Sequence, residues 1–191
     1  MPGASAPALS AATALGDALS VRFPGQFIGV RPELDDDRDF CAALFALTRA
    51  DELAAIPWPA DAKAAFCRSQ FEAQHAHYRR HYAAADLMVV VHDHARIGRV
   101  YVHATPEETR LMEISLLPEW RNRGIGGCLS AAVVAHAHGR GVMAGLHVEP
   151  FNPARRLYER QGFRQVEERG IYLYMQCPPP ATQAAAGQSI S

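Results

Sequence analysis

Between Glu113 and Leu129 the chain reads EISLLPEWRNRGIGGCL. An apolar strand runs into Pro118, then into a basic, glycine-rich turn, then into an amphipathic helix. A turn of this kind offers unpaired backbone N–H groups and the positive end of a helix to an anion, with Arg121 and Arg123 close by. Gly124 and Gly126 let a bulky anion approach the backbone. The helix dipole from Ile125 onward favours negative charge by ~0.3–1 kcal/mol in exposed settings. The chemistry indicated is the grip of a pyrophosphate. A P-loop would need Gly-Lys followed by Ser or Thr, which the chain lacks. A dinucleotide fingerprint G-x-G-x-x-G would need glycine where Leu129 stands. What remains is R-x-x-G-x-G, Arg121 to Gly126. Taken alone, the same residues also suit a plain strand-to-helix connection with a glycine cap.

The rest of the chain bounds what this turn can serve. Its 191 residues are 49% apolar, enough for one domain with a proper core. The formal charge is −1, without the basic excess of a nucleic-acid binder. No apolar run approaches the ~20 residues that span a bilayer. The Ala-rich start lacks a preceding basic region, so no secretory signal is expected. Cys41, Cys67, Cys128 and Cys177 lie far apart and form no CxxC pair, which points to reduced, mostly buried thiols in a cytoplasmic protein.

The elements that must position the turn follow from periodicity. Residues 1–20, rich in Ala, Ser, Gly and Pro, read as a flexible tail or at best a weak helix, and residues 178–191 as a disordered tail. The folded domain is therefore expected over residues 21–177. Strands are expected at 26–30, 86–92, 96–103, 109–117, 145–148, 163–167 and 171–176, the last two paired around Arg169-Gly170. Asp35 to Asp37 offer N-cap chemistry to a helix carrying Phe40, Leu44, Phe45 and Leu47. Further helices are expected at about 60–81, from the glycine turn to His138, and at 152–161. The helix after the turn has an apolar stripe at Ile125, Cys128, Leu129, Ala132 and Val133. The order β-α-α-β-β-β-α-β-α-β-β describes a mixed α/β sheet.

Two motifs carry a resemblance to a known family. The stretch Arg121 to Gly126 resembles motif A, (R/Q)-x-x-G-x-(G/A), of the GCN5-related N-acetyltransferase (GNAT) superfamily. NPARRLYERQGFR, Asn152 to Arg164, resembles motif B: A-x-x-L-Y-E-x-x-G-F is met by Ala154, Leu157, Tyr158, Glu159, Gly162 and Phe163. The resemblance spans about residues 26–177 and is strongest over 113–163. One departure stands out. Many relatives have Asn seven residues before the tyrosine, whereas here Phe151 takes that place and Asn152 lies six before Tyr158.

The resemblance implies an α/β fold of the GNAT type: a mixed, mostly antiparallel sheet with splayed central strands, flanked by helices on both faces. It implies acetyl-CoA as co-substrate, no metal, a primary amine acceptor, and a homodimer as a common state. Ile114, Ser115 and Leu116 would lend backbone groups to the pantetheine arm, with an N–H at or near Leu116 facing the thioester oxygen. The N–H groups of Asn122, Arg123, Gly124, Ile125, Gly126 and Gly127 would hold the pyrophosphate, Arg121 and Arg123 would add charge, and Asn152 would touch the cofactor. The amine would attack the thioester directly while both substrates are held. Tyr158 is the candidate acid for the leaving thiolate, or else a tyrosine that packs its helix on the sheet. Glu113, His147 and Glu149 are the candidate bases, beside a water chain with no dedicated base. Cys128, inside the helix stripe, reads as core rather than nucleophile.

The acceptor pocket is expected from the first two helices and the strand edges. The second carries Gln70, His75, His77, Tyr78, Arg79, His81 and Tyr82, and Trp58 is a candidate wall. A solvated helix with an aromatic packing edge explains the same residues. Two rival functions remain. Three H-x-H pairs, His75/His77, His92/His94 and His136/His138, raise a metal site: i and i+2 diverge on a helix, which disfavours the first and third pairs, a hairpin turn would let His92 and His94 share a face, and no Cys or carboxylate completes a convincing set. His136 continues its helix stripe as a structural histidine. A chain of this fold can also bind CoA as a non-catalytic sensor or binding module.

Overall fold

The computed structural model describes residues 10–181, and its elements follow largely from the periodicities above. In chain order they are α1 (Ala11–Arg22), β1 (Ile28–Pro32), α2 (Arg38–Thr48), α3 (Ala50–Ala54), α4 (Ala60–His81), β2 (Asp86–His92), β3 (Ala95–Ala104), β4 (Glu108–Leu116), α5 (Ile125–Gly139), β5 (Met143–Val148), α6 (Arg155–Arg160), β6 (Arg164–Arg169) and β7 (Tyr172–Cys177). One seven-stranded sheet runs β1-β2-β3-β4-β5-β7-β6. Every neighbouring pair is antiparallel except β4 with β5. This is the expected mixed, mostly antiparallel sheet with helices on both faces.

Strand alternation sorts the two faces. Val100, Val102, Leu111, Leu146 and Met175 join Leu15, Leu19, Leu129 and Val133 of α1 and α5 in the main core. A smaller core under α2 and α4 gathers Cys41, Ala42, Phe45, Phe71 and Val89. The second face is polar for its depth: Arg99 and Tyr101 are fully buried there.

The expected tail over residues 1–20 is corrected by α1. Ala11, Leu15 and Leu19 recur every four residues and are buried against the core. Ser10 caps the helix, its Oγ accepting the Thr13 N–H at 3.2 Å. Burial of a narrow stripe on α5 stabilises a segment whose alanines and serines resemble a linker in composition. Residues 1–9 and 182–191 of the two expected tails lie outside the described residues. Leu47, expected on the core side of α2, is 40% exposed. The short α3 was not foreseen.

The centre of the sheet opens. β4 and β5 pair only from Glu108↔Met143 to Leu111↔Leu146. On the other side of β4 the register with β3 shifts there: Tyr101 pairs with Glu113 and Val102 with Leu111, leaving Met112 extra. A bulge bends its strand and strengthens its twist, so β4 leaves β5 where Met112 intervenes. Gly98 then admits the end of β4 very closely, since a Cβ there would lie 2.5 Å from the Ser115 carbonyl oxygen.

Candidate active site

The parted strands leave backbone groups without strand partners. Leu117 N–H bonds the Ile97 carbonyl of β3 at 2.9 Å. Alternation along an antiparallel strand then turns the groups of Ser115 toward β3 and those of Leu116 and Ile114 toward the opening. The Leu116 carbonyl accepts Nε of Arg121 at 2.9 Å, which ties the strand end to the turn. The Leu116 N–H is left facing the gap.

Beyond Leu116 a single 3₁₀ turn, Pro118–Trp120, leads to the glycine turn. Asn122 and Gly124 adopt left-handed φ of 59° and 85°, and Gly124 is the N-cap of α5 without any side-chain cap bond. Among the described residues, no acceptor takes the N–H groups of residues 122 to 127; the first helical bond is Cys128 N–H to the Gly124 carbonyl. Six successive amides are therefore free beside the opening. Arg123 stacks on Trp120 at 4.8 Å.

A cavity of about 540 Å³ occupies the parting on the α4 side. β4 contributes Glu113, Ile114 and Ser115, β5 contributes His147, α6 contributes Tyr158, and Asn152 stands at the edge. Tyr158 packs edge-on against Phe163 at 5.9 Å. Burial, reinforced by the charge of Glu113, pushes its phenol up to about 12. Burial and Glu113 likewise raise Tyr78, so both phenols stay protonated at neutral pH. Oε1 of Glu113 accepts Ser115 Oγ and lies 3.2 Å from Nη2 of Arg99. Arg99, 1% exposed, also donates to Gln74 at 3.0 Å and lies over the Tyr101 ring. Tyr101 in turn donates to the buried Glu33 carboxylate.

His147 stands at the rim. Its ring stacks on Tyr174 at 4.9 Å, with Nε2 3.4 Å from Arg169. Burial, then Arg110 and Arg169, lower its pKa, so it is neutral at pH 7. Glu149 lines the cavity and faces Arg49 at 3.7 Å. Asn152 uses Oδ1 to accept the Ala154 N–H at 2.9 Å, capping the approach to α6. Cys128 donates to the Ala18 carbonyl of α1, and burial raises its pKa.

Residues 83–165 match the family model of the acetyltransferase (GNAT) domain. That segment is similar in sequence to the GNAT domain, and the chain as a whole has the fold of the GCN5-related N-acetyltransferases. Solved GNAT structures share its fold. The PaiA N-acetyltransferase of Thermoplasma acidophilum, in complex with coenzyme A, superposes with a TM-score of 0.61 at 17% identity, over 79% of this chain and 98% of that one. A GCN5-related N-acetyltransferase of Rhodopseudomonas palustris gives 0.56 at 16% identity, over 78% and 94%. The ribosomal-protein-S18-alanine N-acetyltransferase of Escherichia coli gives 0.55 at 19% identity, over 86% and 99%. None of the curated proteins matches the chain by sequence.

The chain thus has the fold of the GNAT acetyltransferases, and its two motifs meet at one opening. Glu113, Ile114, Ser115, His147, Asn152 and Tyr158 share the cavity, with the glycine turn at the end of β4. Of the expected acceptor residues, His77, Tyr78 and Tyr82 line the cavity. His75 instead turns toward Glu33, 3.6 Å away. Trp58 packs edge-on against Phe66, is 44% exposed and is not among the lining residues. His92 packs on Trp120 at 4.6 Å. Among the described residues, no group of three or more His, Cys, Asp or Glu is placed to hold a metal, and no helix is long and apolar enough to cross a membrane.

Sequence reasoning missed Arg99, Gln74 and the Arg49/Glu52 pair that also lines the cavity. Arg99 left a readable trace, as a charge inside the apolar run RIGRVYVH. Gln74 and Arg49 left none, because only packing of α2 and α4 on the sheet brings them to the opening.

Proposed function

We propose that the chain transfers an acyl group, acetyl in the first instance, from acyl-CoA to a primary amine by direct attack within a ternary complex. The observation that carries this is the row of six free amides, residues 122–127, at the end of a strand that has left its neighbour. Such a row, at the positive end of a helix, suits a diphosphate. Arg123 adds charge there, while Arg121 fastens the turn to Leu116. Ile114, Ser115 and Leu116 form the ledge for the pantetheine arm, and Asn152 borders it.

In this reading the amine nitrogen attacks the thioester carbon, and the Leu116 N–H stabilises the oxyanion. Loss of one such donor costs roughly 10²–10³ in rate. The carbon–sulfur bond then breaks, and the departing thiolate takes its proton from Tyr158. Glu113 receives the proton lost by the amine nitrogen, directly or through water. Glu113 is favoured over His147 and Glu149 because its charge reaches both Tyr158 and Tyr78. His147 is spent on Tyr174 and Arg169, and Glu149 on Arg49. The raised pKa of Cys128 and its bond to Ala18 speak against a covalent acyl-enzyme there.

Calorimetry with acetyl-CoA and measurement of CoA release over an amine panel test the proposal. Wild type should bind and turn over. Gly124→Glu and Gly126→Glu should abolish binding by placing bulk and negative charge on the phosphate seat. Unchanged affinity in both variants refutes the phosphate assignment. Tight binding with no turnover of any amine would make the chain a CoA sensor instead.

A further inference from the structure

The acyl-transfer reading leaves the acceptor unnamed, and the pairing of charges around the cavity narrows it. Five charged side chains line the cavity: Arg49, Glu52, Arg110, Glu113 and Glu149. Both arginines are already matched. Arg110 reaches Glu108 at 2.8 Å through Nε and 2.6 Å through Nη2. Arg49 lies 3.0 Å from Glu52 and 3.7 Å from Glu149. Arg99, behind the wall, is divided between Gln74 and Glu113. No cation of the lining is left to receive an acceptor's carboxylate.

For an ammonium the position is reversed. Ser115 and the nearest nitrogen of Arg99 both approach Glu113 at Oε1, and Oε2 accepts no hydrogen bond among the described residues. Aromatic rings line the same cavity. Tyr78 lies within reach of the Glu113 charge, Tyr82 packs on Tyr78 at 6.1 Å, and Tyr172 completes the lining. An ammonium gains from a free carboxylate oxygen and from ring faces together. A carboxylate on the same molecule would meet Glu52, Glu113 and Glu149 with every arginine engaged.

We propose that the acceptor is a small primary amine with a ring or apolar body and no carboxylate beside the amine, so that free amino acids are rejected. This rests on the acyl-transfer reading.

Matched pairs test it: phenethylamine with phenylalanine, tyramine with tyrosine, tryptamine with tryptophan, each with acetyl-CoA. In every pair that turns over, the amine should exceed the amino acid in kcat/KM by at least about 30-fold, because like charges brought together in such a pocket are strongly disfavoured. Phenylalanine amide should behave as phenethylamine does. Glu52→Gln removes the nearer of the two carboxylates on Arg49 and one negative charge of the lining, and should raise the ratio of phenylalanine to phenethylamine by about 5-fold or more by the same logic. Amino acids used as well as their amines, an unchanged ratio in Glu52→Gln, or preference for a short peptide over every small amine overturns the proposal while acyl transfer stands. Acetyl-CoA that fails to bind at all overturns both, and calorimetry separates that case.

Discussion

Replacing Arg99 by Met removes the cation that holds Glu113 while nearly preserving side-chain volume. Arg99 is 1% exposed, and its Nη2 lies 3.2 Å from Glu113 and 3.0 Å from Gln74. Breaking a buried pair from one side costs about 3–5 kcal/mol, because the partner's charge stays behind unpaired. Glu113 is 18% exposed along its side chain and opens on the cavity, which relieves part of that penalty. We therefore expect Arg99→Met to destabilise the fold by about 2–3 kcal/mol, at or just below the lower bound for fully enclosed pairs. That lowers Tm by roughly 4–12 °C for a chain of this size. Glu113→Gln removes the charge, so the Arg99→Met/Glu113→Gln double variant should recover at least about 1 kcal/mol relative to additivity. Urea unfolding of the four proteins gives the cycle. The same four, assayed for acyl transfer, should show Arg99→Met lowering kcat in the wild-type background and having little effect once Glu113 is Gln. Strict additivity in stability and in rate would refute the view that Arg99 acts through Glu113.

Three shorter predictions follow from other parts of the molecule. Tyr158→Phe should lower kcat about 10²-fold or more while leaving the affinity for acetyl-CoA within twofold, read by steady-state kinetics and calorimetry. Leu19→Ala, in the helix that replaced the expected tail, should cost about 2–5 kcal/mol in urea unfolding; a change near zero would return that segment to the status of an appendage. Asp37, bound by both Nη atoms of Arg31 at 2.6 and 2.9 Å, has its pKa lowered to about 2, first by that bond, against an opposing cost of burial. A carboxylate held low in the folded state contributes stability above its unfolded pKa and loses it as pH falls through the folded one. Stability should therefore drop between about pH 4 and pH 2, and Asp37→Asn should flatten that drop in acid titrations followed by circular dichroism.

Most of the site was legible because its two halves are local. A glycine turn after a strand, and Tyr158 four residues after Ala154, each announce themselves within a few positions. The bounds of α4 and β2 came directly from period and breakers, since Pro57, Pro59 and the Asp93-His94 turn punctuate them. Asp93 and His94 indeed take left-handed φ of 46° and 70°. The N-terminal helix failed to announce itself because its stripe is only three residues wide, and its alanines carry little hydrophobic signal.

What the amino-acid order determined by itself was the family resemblance, the sheet's element sequence and the glycine turn proposed as the phosphate seat, all functions of short-range spacing. Only the tertiary structure decided where the sheet opens, because that depends on Met112 finding no place in the register with β3 while β5 pairs on the other edge. It alone decided that Arg99 of β3 meets Glu113 of β4 at Oε1, where Ser115 of the same strand also donates. And it alone brought Arg49 to Glu149, a carboxylate just past the end of β5 and 100 residues away in the chain. Charge pairing at a cavity wall depends on distances through space, and no periodicity along the chain encodes it.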